Sequence, residues 1–141
     1  MKQYKHLFIS LLLISATLVS CESQHENAGD LAGMWQLTLW TGKNYEDTLS
    51  TKSDGIYYCV QRNLMKFQQT NSSCYYLSYY RHTPDSLIIY HAMNYPGDTL
   101  VTLKDLATYG VPDDGKFLIQ ALTSDRMVLE SSHAVLQFRK Y

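Results

Sequence analysis

The chain has 141 residues and a formal charge of −1, set by 12 Lys and Arg against 13 Asp and Glu. That length is enough for one domain and no more, and the charge excludes a nucleic-acid binder, which needs a strongly basic face. Twelve tyrosines and only seven glycines and three prolines describe an aromatic-rich globular chain rather than a low-complexity one.

At the N-terminus, Lys2 and Lys5 precede an apolar run from Leu7 to Val19, followed by small Ser20 and then Cys21. This is the three-part layout of an export signal. The run is 13 residues long, well short of the ~20 that a membrane-spanning helix needs, so a cleaved segment is expected. Leu18-Val19-Ser20-Cys21 resembles a bacterial lipobox. The resemblance implies cleavage before Cys21, acyl chains (palmitate among them) on that residue, and a place in the cell envelope, in or on the outer membrane. Residues 1–20 are then the signal, 21–30 a polar flexible tether and 31–141 the folded domain, with 10 basic residues facing 13 acidic ones in the mature chain.

From Leu31 the chain shows short alternating segments separated by turn chemistry. Gly33–Thr41 places Trp35, Leu37 and Leu39 on one face and Met34, Gln36, Thr38 and Trp40 on the other. A polar loop ending in Ser53-Asp54-Gly55 leads to Ile56–Gln61, and Leu64–Gln69 is its continuation or its partner. Cys74–Arg81 is a tyrosine-rich strand, Thr83-Pro84-Asp85 ends it, and Leu87–Ala92 is the next. Pro96-Gly97 turns the chain into Leu100–Leu103, and Lys104–Tyr109 is the one place where a helical turn competes. Phe117–Leu122, Met127–Ser131 and Val135–Lys140 close the sequence. Eight or nine short strands without a long helix predict an all-β antiparallel barrel, since an open meander would leave two long edges unpaired. An eight-stranded barrel has an interior that side chains nearly fill, or that holds one small ligand.

Gly33-Met34-Trp35 at the first strand resembles the G-x-W motif of lipocalins. The terminal segments Leu122–Leu129 and Leu136–Tyr141 are similar to the closing hairpin of lipocalin-like lipoproteins of gut-type anaerobic bacteria. In that family the first-strand tryptophan closes one end of the barrel beneath a basic residue of the last strand. The resemblance therefore implies a Trp35–Arg139 clamp, with the T-D-Y type turn of lipocalins absent from the middle of the chain. It also implies that at least one of Asp47-Thr48-Leu49, Asp85-Ser86-Leu87 and Asp98-Thr99-Leu100 can accept O-linked glycan, although Asx turns and β-branched strand starts already account for the tripeptides.

With Cys21 assigned to lipid, Cys59 and Cys74 remain as an even pair in an exported chain. They form either a disulfide between adjacent strands or two small packing residues. His25, His82, His91 and His133 show no metal-ligand spacing, and no nucleophile elbow or glycine-rich phosphate loop is present. The chain is accordingly expected to be non-enzymatic and without a cofactor. The tyrosine clusters admit three readings: core plus surface, a phenol-lined ligand cavity, or an exposed aromatic platform. If the barrel carries a small apolar or amphipathic ligand, Leu37, Leu39, Tyr58 and Tyr90 are the expected lining. The other function class is a non-catalytic accessory module for protein or glycan contact at the envelope.

Overall fold

A computed structural model describes residues 28–43 and 47–141. Ten strands run in chain order: β1 Gly33–Gly42, β2 Thr48–Ser50, β3 Ile56–Gln61, β4 Leu64–Gln69, β5 Tyr75–His82, β6 Ser86–Tyr95, β7 Thr99–Val101, β8 Lys116–Leu122, β9 Arg126–Glu130 and β10 Ala134–Lys140. Eight of them pair antiparallel in a closed cycle, β1-β3-β4-β5-β6-β8-β9-β10, because β10 returns to β1 from Trp35↔Lys140 through Gly42↔Ala134. Closure removes the two edges that a meander would otherwise expose. The short β2 and β7 extend the wall at one end only, β2 beside Leu39–Thr41 and β7 beside Ala92–Asn94. Leu64–Gln69 is thus the hairpin partner of Ile56–Gln61 and not its continuation. The loop before Ile56, expected to be irregular, contains β2 and a 3-10 turn at Lys52–Asp54.

Alternation along each strand sends Trp35, Leu37, Tyr58, Met65, Phe67, Leu87, Ile89, Met127, Leu129 and Phe138 into the lumen, all 0–2% exposed. Tyr58 packs 4.6 Å from Phe67 and 4.7 Å from Phe138, centroid to centroid, so aromatic rings span the interior.

Both ends are covered. At the base, a 3-10 turn at Gly29–Leu31 buries Ala28 and Leu31, and the Trp35 indole N–H donates to the Leu31 carbonyl at 2.8 Å. Ala28–Asp30, expected within the tether, therefore belong to the folded body, because Ala28 and Leu31 supply the apolar lid that the barrel end requires. At the mouth, the 3-10 segment Leu103–Tyr109 starts with a reciprocal cap between Thr102 and Asp105 and buries Leu106 and Tyr109. The Tyr58 hydroxyl donates to the Tyr109 carbonyl at 2.7 Å, which ties this plug to the opposite wall. Gly110 ends the plug at φ 87, where an added Cβ would stand 2.7 Å from Leu136 and 3.2 Å from Trp40. Glycine fits both the left-handed backbone and the close approach.

Candidate functional site

Two bulges decide which side chains face inward. On β1, Leu37 pairs with Phe138 but Leu39 pairs with Gln137, so Thr38 is an extra residue that opposes nothing. Its hydroxyl donates to the Gln137 carbonyl at 3.0 Å and holds the bulge. One extra residue reverses the alternation beyond it. Leu39 consequently turns outward and Trp40 turns inward, across from Leu136 and Leu49. On β6, His91 sits at φ 53 where two residues oppose Ser78, and Tyr90 lies on the outer wall stacked on Tyr79 at 6.1 Å. Of the four expected lining residues, Leu37 and Tyr58 are in the lumen while Leu39 and Tyr90 are outside it. The two inside are built into the packed core, where burial drives the Tyr58 phenol pKa well above its ordinary value.

The expected clamp is likewise corrected by parity. Phe138 and Lys140 share the inward side of β10, and it is Lys140 that stands over the Trp35 ring, 4.8 Å from its centroid. Arg139 points outward and donates to Gln36 Oε1 at 2.8 Å.

Cys59 and Cys74 are both free thiols. Cys59 lies in β3 opposite Lys66, and Cys74 precedes β5 at the mouth, with all of β4 between the two strands. The expected adjacency fails because Leu64–Gln69 forms its own strand. Burial pushes the Cys59 thiol pKa up and nearby Lys66 pulls it down. Cys21 lies outside the described residues. Among those described, no three His, Cys, Asp or Glu side chains converge as metal ligands would.

With the lumen filled, open space bounded by apolar side chains occurs at the mouth. A cleft of about 410 Å³ lies between β2, the start of β3 and the plug, lined by Trp40, Leu49, Ile56, Thr51, Asp54 and Thr108. Leu49 is 61% exposed and Trp40 is half-buried against the core. The Thr51 hydroxyl is buried yet has no hydrogen-bond partner. Buried hydroxyls are nearly always paired, and an unpaired one costs ~1–3 kcal/mol, so Thr51 Oγ1 is a spare donor and acceptor beneath the cleft that Thr51 lines, reached from it by rotation of the side chain. Asp47-Thr48-Leu49 marked a strand start in the sequence but no cleft, and the inward turn of Trp40 had no signal, because a bulge has no fixed sequence mark.

The tyrosine pairs resolve onto opposite sides. Tyr58, Tyr76 and Tyr80 face inward, whereas Tyr75 stacks on Tyr95 at 4.6 Å and Tyr79 on Tyr90 on the outer wall of β5 and β6.

Comparison with known proteins agrees with this architecture. The sequence profile of a family described as a lipocalin-like domain matches residues 16–141. The crystal structure of a lipocalin-like protein from Bacteroides uniformis superposes with a TM-score of 0.59 at 23% identity, covering 80% of this chain and 100% of that one. An uncharacterized protein from Bacteroides eggerthii superposes with a TM-score of 0.58 at 22% identity, covering 78% of this chain and 98% of that one. No curated protein matches.

Proposed function

Because the chain belongs to the lipocalin-like domain family, a barrel fold suited to holding a ligand, we propose that it is a lipid-anchored, non-catalytic envelope protein that takes a small amphipathic molecule at its mouth. The observation that carries this reading is the unpartnered Thr51 hydroxyl beside the exposed Leu49 and the Trp40 ring. Apolar walls with one or two placed polar groups are what a small-molecule site consists of. The ligand has an apolar body that covers Leu49 and one group able to donate to or accept from Thr51. The lumen below serves as support, since its inward row already fills it. Anchoring at Cys21 rests on the lipobox and places the barrel at the envelope; incorporation of a fatty-acid probe that is lost in Cys21→Ala tests it.

Titration with a neutral naphthylamine dye tests the mouth site, with quenching of Trp40 fluorescence as a second readout. Leu49→Asp is expected to weaken dye binding, and Thr51→Val to weaken it while leaving the fold as stable or slightly more so. Dye affinity unchanged in both variants would remove the proposal.

A second reading has its own support on the outer wall. The stacked pairs Tyr75–Tyr95 and Tyr79–Tyr90 flank Leu77, Met93 and Leu100, the last of which is 70% exposed. Aromatic residues of this kind concentrate at protein contacts. An accessory module would use this wall, and its partner binding would be insensitive to Leu49→Asp.

A further inference from the structure

We infer that a second site, an outer groove at the base of the barrel, binds the phosphate headgroup of an anionic phospholipid; this rests on the lipid-anchored reading above. The groove encloses about 670 Å³ and runs over the outer faces of β3 and β4, with Leu64 and Leu77 as apolar floor and Arg62 and Lys66 as its charged side chains. Among the described residues, no carboxylate lines it. Among the described residues neither cation is paired with an acid, the ion pairs there being Lys43–Glu130 and Lys104–Asp113.

The backbone holds Arg62 in place at a cost. Arg62 occupies the tight turn between β3 and β4 with φ 55, a left-handed conformation that favours glycine or asparagine. Its carbonyl accepts a hydrogen bond from the hydroxyl of Tyr80, a residue buried from the inside of the barrel. Lys66 lines the groove while its ammonium rests 4.2 Å from the centre of the Tyr75 ring at the groove's mouthward side, a contact it must leave to meet a phosphate beside Arg62.

Charge is polarised along the whole axis in the same sense. Among the described residues, the base half carries six basic side chains, Arg62, Lys66, Arg81, Arg126, Arg139 and Lys140, against Asp30, Asp85 and Asp125. The mouth half carries seven acidic and four basic ones. The folded body also begins at the base, at Ala28, and Gly33 lines the groove itself. Six residues separate Cys21 from Ala28, seven Cα steps that span at most about 25 Å. An acylated Cys21 therefore holds the base of the barrel within about 25 Å of the headgroup layer, within reach of the groove.

The test uses the chain from residue 22 onward, which retains the entire closed barrel and drops both the apolar run and Cys21, so that acylation plays no part in the result. It is mixed with vesicles of phosphatidylcholine alone or with phosphatidylglycerol added. Sedimentation with the anionic vesicles is expected, reduced by salt, and about tenfold or more weaker in Arg62→Gln/Lys66→Gln. Lys104→Gln, at the mouth, should bind as the parent does. In a Cys74→Ser background, anionic vesicles should also slow alkylation of Cys59, which lies in the groove. Equal binding to neutral vesicles, or no loss in the double variant, would overturn the inference. Protection of Cys59 by inorganic phosphate without protection by vesicles would overturn the membrane as the source. Failure of fatty-acid labelling at Cys21 would refute the anchor while leaving these measurements unaffected.

Discussion

Lys140 stands over the indole of Trp35 while its neighbour Arg139 points away from it, bonded to Gln36. The reason lies in the pairing of β10 with β1, where Trp35 is opposite Lys140 and Gln36 is opposite Arg139, and directly opposed residues share a face. Gly33 completes the arrangement at φ 121, since a Cβ there would meet the Lys140 side chain at 2.7 Å. Removing the charge in Lys140→Met should therefore lower stability by about 0.5–1 kcal/mol and alter Trp35 emission. Arg139→Met should leave that emission unchanged. Trp35→Ala, a large-to-small change in the core, should cost about 3–5 kcal/mol. Denaturant unfolding followed by tryptophan fluorescence separates the three, and equal spectral effects from Lys140→Met and Arg139→Met would contradict the assignment.

The bulge at Thr38 predicts opposite outcomes for two leucines that simple alternation treats alike. Leu37 is fully buried against filled lumen, so Leu37→Trp overpacks it and should cost about 1–3 kcal/mol or more. Leu39 faces outward beside Gln137 and Ser50, so Leu39→Trp should change stability little. Thermal midpoints of the two variants decide the point; similar losses would mean that both residues face the core.

What the sequence showed plainly was periodicity. Alternation and turn residues placed most of the strands within a residue or two, and the edge argument led to a closed barrel. The motif at Gly33-Met34-Trp35 also located the base. Parity after a bulge was hidden, because Thr38 and His91 look like ordinary strand residues and only their pairing partners reveal the extra position. The same blindness assigned the lining to Leu39, whereas the Arg139 clamp came from the family resemblance and fails in a stretch without a bulge, where Lys140 is the residue opposite Trp35. The mouth cleft was illegible for a different reason: it forms where β2 and the Leu103–Tyr109 plug meet, two elements distant in sequence and too short to carry a periodic signal.

The cysteines should remain reduced as a pair. Cys59 lies within β3 and Cys74 just before β5, with β4 between them and at different heights, whereas a bridge needs Cα atoms within about 7 Å. Mass spectrometry of the air-oxidised domain should show two alkylatable thiols, and reductant should not shift the unfolding midpoint. Exposed Cys74 should react faster than half-buried Cys59, whose thiol is shifted towards the protonated form by burial. A mass two units lower before reduction, with both cysteines in one cross-linked peptide, would defeat this expectation.

His82 gives the barrel an acid sensitivity whose sign can be worked out. It ends β5 on the inward side opposite Leu87, and its Nε2 is buried without a hydrogen-bond partner. Burial lowers the imidazole pKa below its ordinary 6.5, and Asp30 pulls weakly in the other direction. Between the depressed native value and 6.5 the unfolded chain binds more protons than the folded one, so stability rises with pH across that window. The favourable contribution is complete above about 6.5 and is lost as the solution is acidified towards and through the native value. His82→Gln cannot take up a proton and should flatten this part of the stability profile. Asp30→Asn removes the opposing pull and should steepen it. Urea midpoints measured at neutral and mildly acidic pH test both directions, and parallel profiles for the parent and His82→Gln would show that this imidazole is not the group responsible.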